Sequence, residues 1–187
     1  DHYDSNSMYG NTIDYFTPVF SFVGQGRGIG ISFGYKEFDR VLATASDDGT
    51  IRMWNLDPKL ELLAFEGHTQ YVWDVTFTNN DNLLITVSDD RTIKFWDSIT
   101  GEMKHSLNYE APIRALSLDQ LGSKLAVSST DGSVNIWDIS NYPYRKLQTI
   151  RGHSDRGVGI SLSRSGKILA TSTNDNSVIL WDPISGE

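Results

Sequence analysis

"LLITVSDDRTIKFWD", Leu83 to Asp97, holds one complete hairpin of this chain. The run "LLITVS" is short, apolar and rich in β-formers, the composition of a buried strand. "DDR" then offers turn chemistry, because aspartate side chains bond to nearby backbone and tolerate turn conformations. "TIKFW" alternates, so that Ile93 and Phe95 face one way while Thr92, Lys94 and Trp96 face the other. The stretch therefore predicts strand, turn and strand, and no helical period competes with it.

Three further segments stack on it without gaps: "VLATASDDGTIRMWN" (41–55), "KLAVSSTDGSVNIWD" (124–138) and "ILATSTNDNSVILWD" (168–182). Their tryptophans, Trp54, Trp96, Trp137 and Trp181, recur at intervals of 42, 41 and 44 residues. A recurrence of this length marks an array of similar supersecondary units, none of which can bury its apolar face alone. Upstream of the quoted hairpin lies another strand, "YVWDVTF" (71–77), and downstream a fourth, "MKHSLN" (103–108), reached through "SITGE". Four antiparallel strands in 41 to 44 residues is the size of one β-propeller blade.

Trp-Asp or Trp-Asn closes each third strand, and the histidines of Gly67-His68 and Gly152-His153 lie 28 residues before Trp96 and Trp181. On these motifs the chain resembles the WD-repeat β-propeller proteins over residues 16–187. The resemblance implies an all-β fold of four blades, at about residues 24–66, 67–107, 108–151 and 152–187, with 16–22 an outer strand of a preceding or closing blade. Residues 1–15 read as an acidic, polar leader or linker.

The same resemblance implies a buried tetrad of His, Ser or Thr, Asp and Trp in each blade. By position, blade two has His68, Thr86, Asp90 and Trp96, and blade four has His153, Thr171, Asp175 and Trp181. Indole gives its N–H to hydroxyl, hydroxyl to imidazole, and imidazole to carboxylate, which satisfies every polar group in the set. A set that returns in blade after blade is structural, because a catalytic site would be single. Blade one keeps Thr44, Asp48 and Trp54 but has Gln25 at the histidine position, and blade three keeps Asp131 and Trp137 but has Tyr109 and Val127 for His and hydroxyl. Those two blades are expected to be held less tightly, each by about 1–2 kcal/mol.

The glycine-rich stretch "GQGRGIG" (24–30) fits neither GxGxxG nor GxxxxGK[ST], so it is not read as a phosphate loop. "RGIGISF" (27–33) has a second copy in "RGVGISL" (156–162), which makes both of them inner strands. Glycines two apart fall on one face of a strand and let a neighbouring blade pack close.

Composition excludes several function classes. The 187 residues suffice for a domain burying roughly 70% of its unfolded surface. With no cysteine, Cys-based zinc sites and a disulfide framework are ruled out, and an intracellular location, cytoplasmic or nuclear, is the simpler expectation. A net charge of -8 opposes binding to nucleic acid or anionic lipid. No apolar run approaches the length of a membrane span, about 18 residues, and the acidic first residues are no secretory signal. There is no GxSxG, no HExxH and no carboxylate pair set apart from the repeat, so no enzyme activity, metal or cofactor is expected. His2 and His105 are the histidines outside the tetrads, neither has ligand-like spacing, and replacing His105 is expected to cost almost nothing.

What the resemblance implies for function is a scaffold that binds other proteins, as a subunit of a larger complex, through the narrow top face of the ring. Its top-face positions map onto Arg27, Ile29 and Asp47; Tyr71, Trp73 and Asp89; Pro112, Arg114 and Thr130; and Arg156, Val158 and Asn174. Tyr71 and Trp73 stand out, since large aromatics with arginine nearby dominate binding hot spots. Trp73 has a structural alternative, filling the gap beside a glycine-bearing strand. The alternative of another class is the regulatory or ligand-sensing region of a multidomain enzyme. Basic residues that mark some ubiquitin-ligase receptors are absent at Pro58, Thr100, Asn141 and Ser185. WD-type rings hold about seven blades, so a segment of a larger ring is expected. The alternatives are a ring of four closed by residues 16–22 and a ring of eight made from two chains.

Overall fold

The computed structural model describes residues 26–36, 39–57, 59–80, 82–151, 157–174 and 176–187. Every regular element among them is a strand, and the strands form four antiparallel sheets in chain order. Blade one is β1 (Gly28–Lys36), β2 (Asp39–Ser46), β3 (Ile51–Leu56) and β4 (Lys59–Phe65). Blade two is β5 (Val72–Phe77), β6 (Leu83–Ser88), β7 (Thr92–Asp97) and β8 (Met103–Asn108), so the hairpin read from the sequence falls where it was expected. Blade three is β9 (Ile113–Leu118), β10 (Lys124–Ser129), β11 (Ser133–Asp138) and β12 (Arg145–Arg151). Blade four shows β13 (Gly157–Leu162), β14 (Leu169–Thr173) and β15 (Val178–Trp181). The expected strand at 16–22, the leader, Gln25, His153, Arg156 and Asp175 lie outside the described residues.

The central hairpins of blades one, two and three turn on an aspartate. Oδ1 of Asp48, Asp90 and Asp131 accepts both the backbone N–H and the hydroxyl of the residue two further on, Thr50, Thr92 and Ser133, at 2.6–3.0 Å. This closes an Asx-type turn and leaves the residue between in the left-handed region. That residue is Gly49 (φ 85°), Arg91 (φ 67°), Gly132 (φ 78°) and, in blade four, Asn176 (φ 66°).

The core lies between blades, in three seams. Val41, Ile51 and Met53 of blade one meet Val75 and Phe77 of blade two; Ile85, Ile93 and Phe95 meet Ile113 and Leu116; Val134 and Ile136 meet Leu162 and Leu169. Inner strands β1, β5, β9 and β13 lie side by side in that order. Side chains of one blade close the seams by taking backbone N–H groups of the next. Ser32 Oγ accepts from Phe77 N at 3.3 Å, Asp74 Oδ2 from Leu116 N at 3.1 Å and Ser117 Oγ from Leu162 N at 2.9 Å. Burial pushes the Asp74 carboxyl above its ordinary value, against the pull of the N–H groups of Leu116 and Val75.

Gly30 explains the glycine pattern in physical terms. A Cβ there would lie 2.8 Å from Asp74 Cα and 3.0 Å from Trp73 O, which is backbone and cannot swing aside. Glycine is required because blade two packs directly onto the bare strand.

Candidate functional site

In blade two, Trp96 Nε1 donates to Thr86 Oγ1 at 2.8 Å, Thr86 Oγ1 lies 2.7 Å from His68 Nε2, and His68 Nδ1 lies 2.7 Å from Asp90 Oδ2. The Thr69 N–H adds a bond to the same carboxylate oxygen. Burial works to raise the Asp90 pKa and loses to the bonds from His68 and Thr92 and to the charge of His68, so the carboxyl sits well below the usual range. In blade four Trp181 Nε1 donates to Thr171 Oγ1 at 2.7 Å, and in blade one Trp54 Nε1 donates to Thr44 Oγ1 at 3.0 Å.

Blade three departs from the expectation of a loose, incomplete set. Tyr109, at the histidine position, reaches past Val127 and accepts the Trp137 indole N–H on its own hydroxyl at 3.0 Å. One ring spans the distance that imidazole and threonine span together in blade two. Burial raises the phenol pKa, so the hydroxyl stays neutral. His105, whose replacement was expected to cost almost nothing, stacks on Tyr142 at 4.0 Å and 8°, with Phe95 and Tyr144 at its edges. Outer strand β8 of blade two is thereby clasped by the loop before β12.

The top of the array is shaped by a recurring irregularity. In every blade the inner strand skips one residue in its ladder with the second strand: Ile29, Trp73, Arg114 and Val158. Such a bulge re-aims the extra side chain out of the pleat, as at Trp73 and Arg114. Beside the bulges of blades one, two and three a backbone bond ties the two loops at that end, from Asp47 N to Arg27 O, from Asp89 N to Tyr71 O, and from Thr130 N to Pro112 O, at 2.9–3.1 Å. In those three blades the residues expected at the top from the sequence are thus neighbours across the hairpin. Arg27 and Asn174 are exposed, and Asp47 Oδ1 also accepts the Arg27 N–H at 2.7 Å.

Blades two and three join four of these residues. The Arg114 guanidinium lies 3.8 Å over the Trp73 ring and its Nη2 is 3.4 Å from Asp89 Oδ1. Tyr71 stands 6.2 Å from Trp73, ring to ring, and is half exposed. The backbone of Trp73 rests on Gly30, while its ring carries Arg114. Next to Tyr71 opens a cleft of about 310 Å³ lined by Asp47, Asp48, Thr69, Gln70, Tyr71 and Asp89. The cross-blade pairing of Arg114 with Asp89 and Trp73 carries no sequence signal, because it joins bulges of adjacent repeats. Among the described residues no group of acidic residues or histidines is arranged to hold a metal ion, and no helix is long and apolar enough to cross a membrane.

The profile of the WD domain, G-beta repeat, matches residues 16–55, 60–97, 101–138 and 144–182. The chain belongs to the WD-repeat family. Among curated WD-repeat relatives, the SIR4-interacting protein SIF2 of Saccharomyces cerevisiae is 28% identical over 139 residues, covering 74% of this chain and 26% of that protein. Protein HIR1 of Cryptococcus neoformans is 29% identical over 129 residues, 60% of this chain and 15% of its own length. The nuclear distribution protein PAC1 of Yarrowia lipolytica is 27% identical over 119 residues, 64% of this chain and 23% of its own length. This WD-repeat chain therefore spans about a quarter or less of the relatives it matches.

Proposed function

We propose that the chain is a non-catalytic scaffold that binds another protein through its top face, centred on Tyr71, Trp73, Asp89 and Arg114. The observation that carries this reading is the Arg114 guanidinium held 3.8 Å over Trp73 and 3.4 Å from Asp89. An arginine fixed by an aromatic ring and a carboxylate loses little conformational freedom when a partner arrives, which favours binding. Tyr71 adds an aromatic face at the rim, of the kind that anchors hot spots. The neighbouring cleft, with Asp47, Asp48 and Asp89 in its wall, suits a basic side chain of the partner. Relatives support the class of work: SIF2 is by its name an interactor of another protein.

The test compares proteins co-purifying with the native chain, with the Tyr71→Ala, Trp73→Ala double variant, and with Leu121→Ser, a change on an exposed turn at the opposite end of the strands. The expected result is a set of partners kept by Leu121→Ser and lost by the double variant, with far-UV circular dichroism unchanged. Partners kept by all three proteins would place binding elsewhere.

A further inference from the structure

The position two residues before each blade's tryptophan carries a different side chain every time: Arg52, Lys94, Asn135 and Ile179. In blade one the cation has a carboxylate. Glu61, the residue of β4 that pairs with Trp54, places Oε2 3.6 Å from Arg52 Nε. In blade two the residue of β8 that pairs with Trp96 is Met103. Lys94 is 8% exposed, and among the described residues its amine has no ion pair: Nζ donates to Met103 Sδ at 3.6 Å and to Ser106 Oγ at 3.4 Å. Blade three meets the same position with neutral Asn135, whose Oδ1 accepts the Thr149 hydroxyl at 2.6 Å. A buried ammonium calls for strong acceptors, and a thioether sulfur is a weak one. Met103 is itself 46% exposed, so a reagent in solvent reaches it, whereas Met53 is 3% exposed.

We propose that Met103 is a site of reversible oxidation whose sulfoxide oxygen is received by Lys94, so that oxidation tightens the outer strand of blade two. The co-reactant is a peroxide. A sulfur lone pair attacks one peroxide oxygen, and the S–O bond forms as the O–O bond breaks. The departing hydroxide takes the proton left on the transferred oxygen and leaves as water, so sulfur is oxidised and the peroxide reduced. A sulfur 3.6 Å from Nζ holds its new oxygen within hydrogen-bond reach of the ammonium, and a bond to a charged donor is stronger than a neutral one. Methionine oxidation ordinarily disrupts packing because it makes an apolar side chain polar. Here the polar atom arrives beside a cation that lacks one. Methionine sulfoxide reductases, which take the oxygen off again, make the step reversible.

Thermal unfolding of the native chain, Met103→Leu and Lys94→Leu, before and after hydrogen peroxide, tests this, with peptide mass spectrometry locating the added oxygen. The native chain should gain oxygen at Met103 and its midpoint should rise by about 2–4 °C, the shift that one net hydrogen bond gives a chain of this size. Met103→Leu should show no rise, and Lys94→Leu should be oxidised at Met103 without a rise. Met103→Gln carries an amide oxygen at the same place, so with no oxidant it should unfold at a higher temperature than Met103→Leu. That comparison stands even where Lys94→Leu fails to fold. A native midpoint that falls or stays on oxidation of Met103, or a Met103 that resists peroxide, overturns the proposal. A rise that persists in Lys94→Leu, or a Met103→Gln chain no more stable than Met103→Leu, overturns the role of Lys94 and the proposal with it.

Discussion

The hydroxyl of Tyr109 accepts the indole N–H of Trp137 at 3.0 Å, replacing with one side chain the relay that His68 and Thr86 form in blade two. Two kinds of acceptor therefore coexist on one scaffold, a threonine hydroxyl in blades one, two and four and a tyrosine hydroxyl in blade three, and they share a single requirement, an oxygen acceptor opposite the tryptophan. Tyr109→Phe should cost about 1–2 kcal/mol in urea denaturation, by leaving that indole unpaired. Adding Tyr109→His and Val127→Thr together, which rebuilds the blade-two arrangement, should recover most of the loss. Stability of Tyr109→Phe equal to the native chain would show the bond to be idle.

His68→Ala removes the middle of a buried relay and should cost about 1–3 kcal/mol. His105→Ala removes a stack on Tyr142 and should cost about 0.5–1.5 kcal/mol. Equal midpoints for His105→Ala and the native chain in a denaturant series would show that the stack contributes nothing to stability.

Asp90 makes the acid limb of stability predictable in sign. Its folded pKa is depressed, so its contribution is complete above the ordinary carboxylate value of about 3.9 and is lost as pH falls through that value toward the folded one. Asp90→Asn should be less stable than the native chain at neutral pH, and the gap should narrow on acidification. Unfolding free energies at a series of pH values from 7 to 3 check this, and parallel curves would contradict it.

Arg91 holds φ at 67°, where the equivalent residues of blades one and three are glycine. A left-handed conformation costs an L-residue about 1–2 kcal/mol, whereas glycine adopts it freely at a cost of roughly 0.5–1 kcal/mol in chain entropy. Arg91→Gly should therefore raise stability by less than about 1 kcal/mol, and Arg91→Val should lower it. A fall in thermal midpoint for Arg91→Gly would mean that the arginine side chain makes a contribution of its own.

Much of this molecule was legible in the sequence because its information is local and repeated. Leu83–Ser88 and Met103–Asn108 are strands with the bounds that alternation and turn residues predicted. The tryptophan spacing defined the blades, and "DDR" placed the hairpin turn, since each depends on contacts within about 40 residues of one repeat. The top-face expectation for Trp73 and Arg114 came from the family resemblance, and the structure places each at a bulge near the start of its inner strand.

What only the tertiary structure decided is what happens between repeats or across a substituted position. No rule of residue type says that a tyrosine ring is long enough to serve for histidine and threonine together; the distance from Tyr109 to Trp137 says it. Arg114 lies on Trp73, and His105 on Tyr142, because adjacent blades bring together residues about 40 positions apart in the chain. The difference between the buried Phe95 and the exposed Leu180 is invisible in two segments of the same pattern. It exists because, among the described residues, a neighbouring blade packs on the face that carries Phe95.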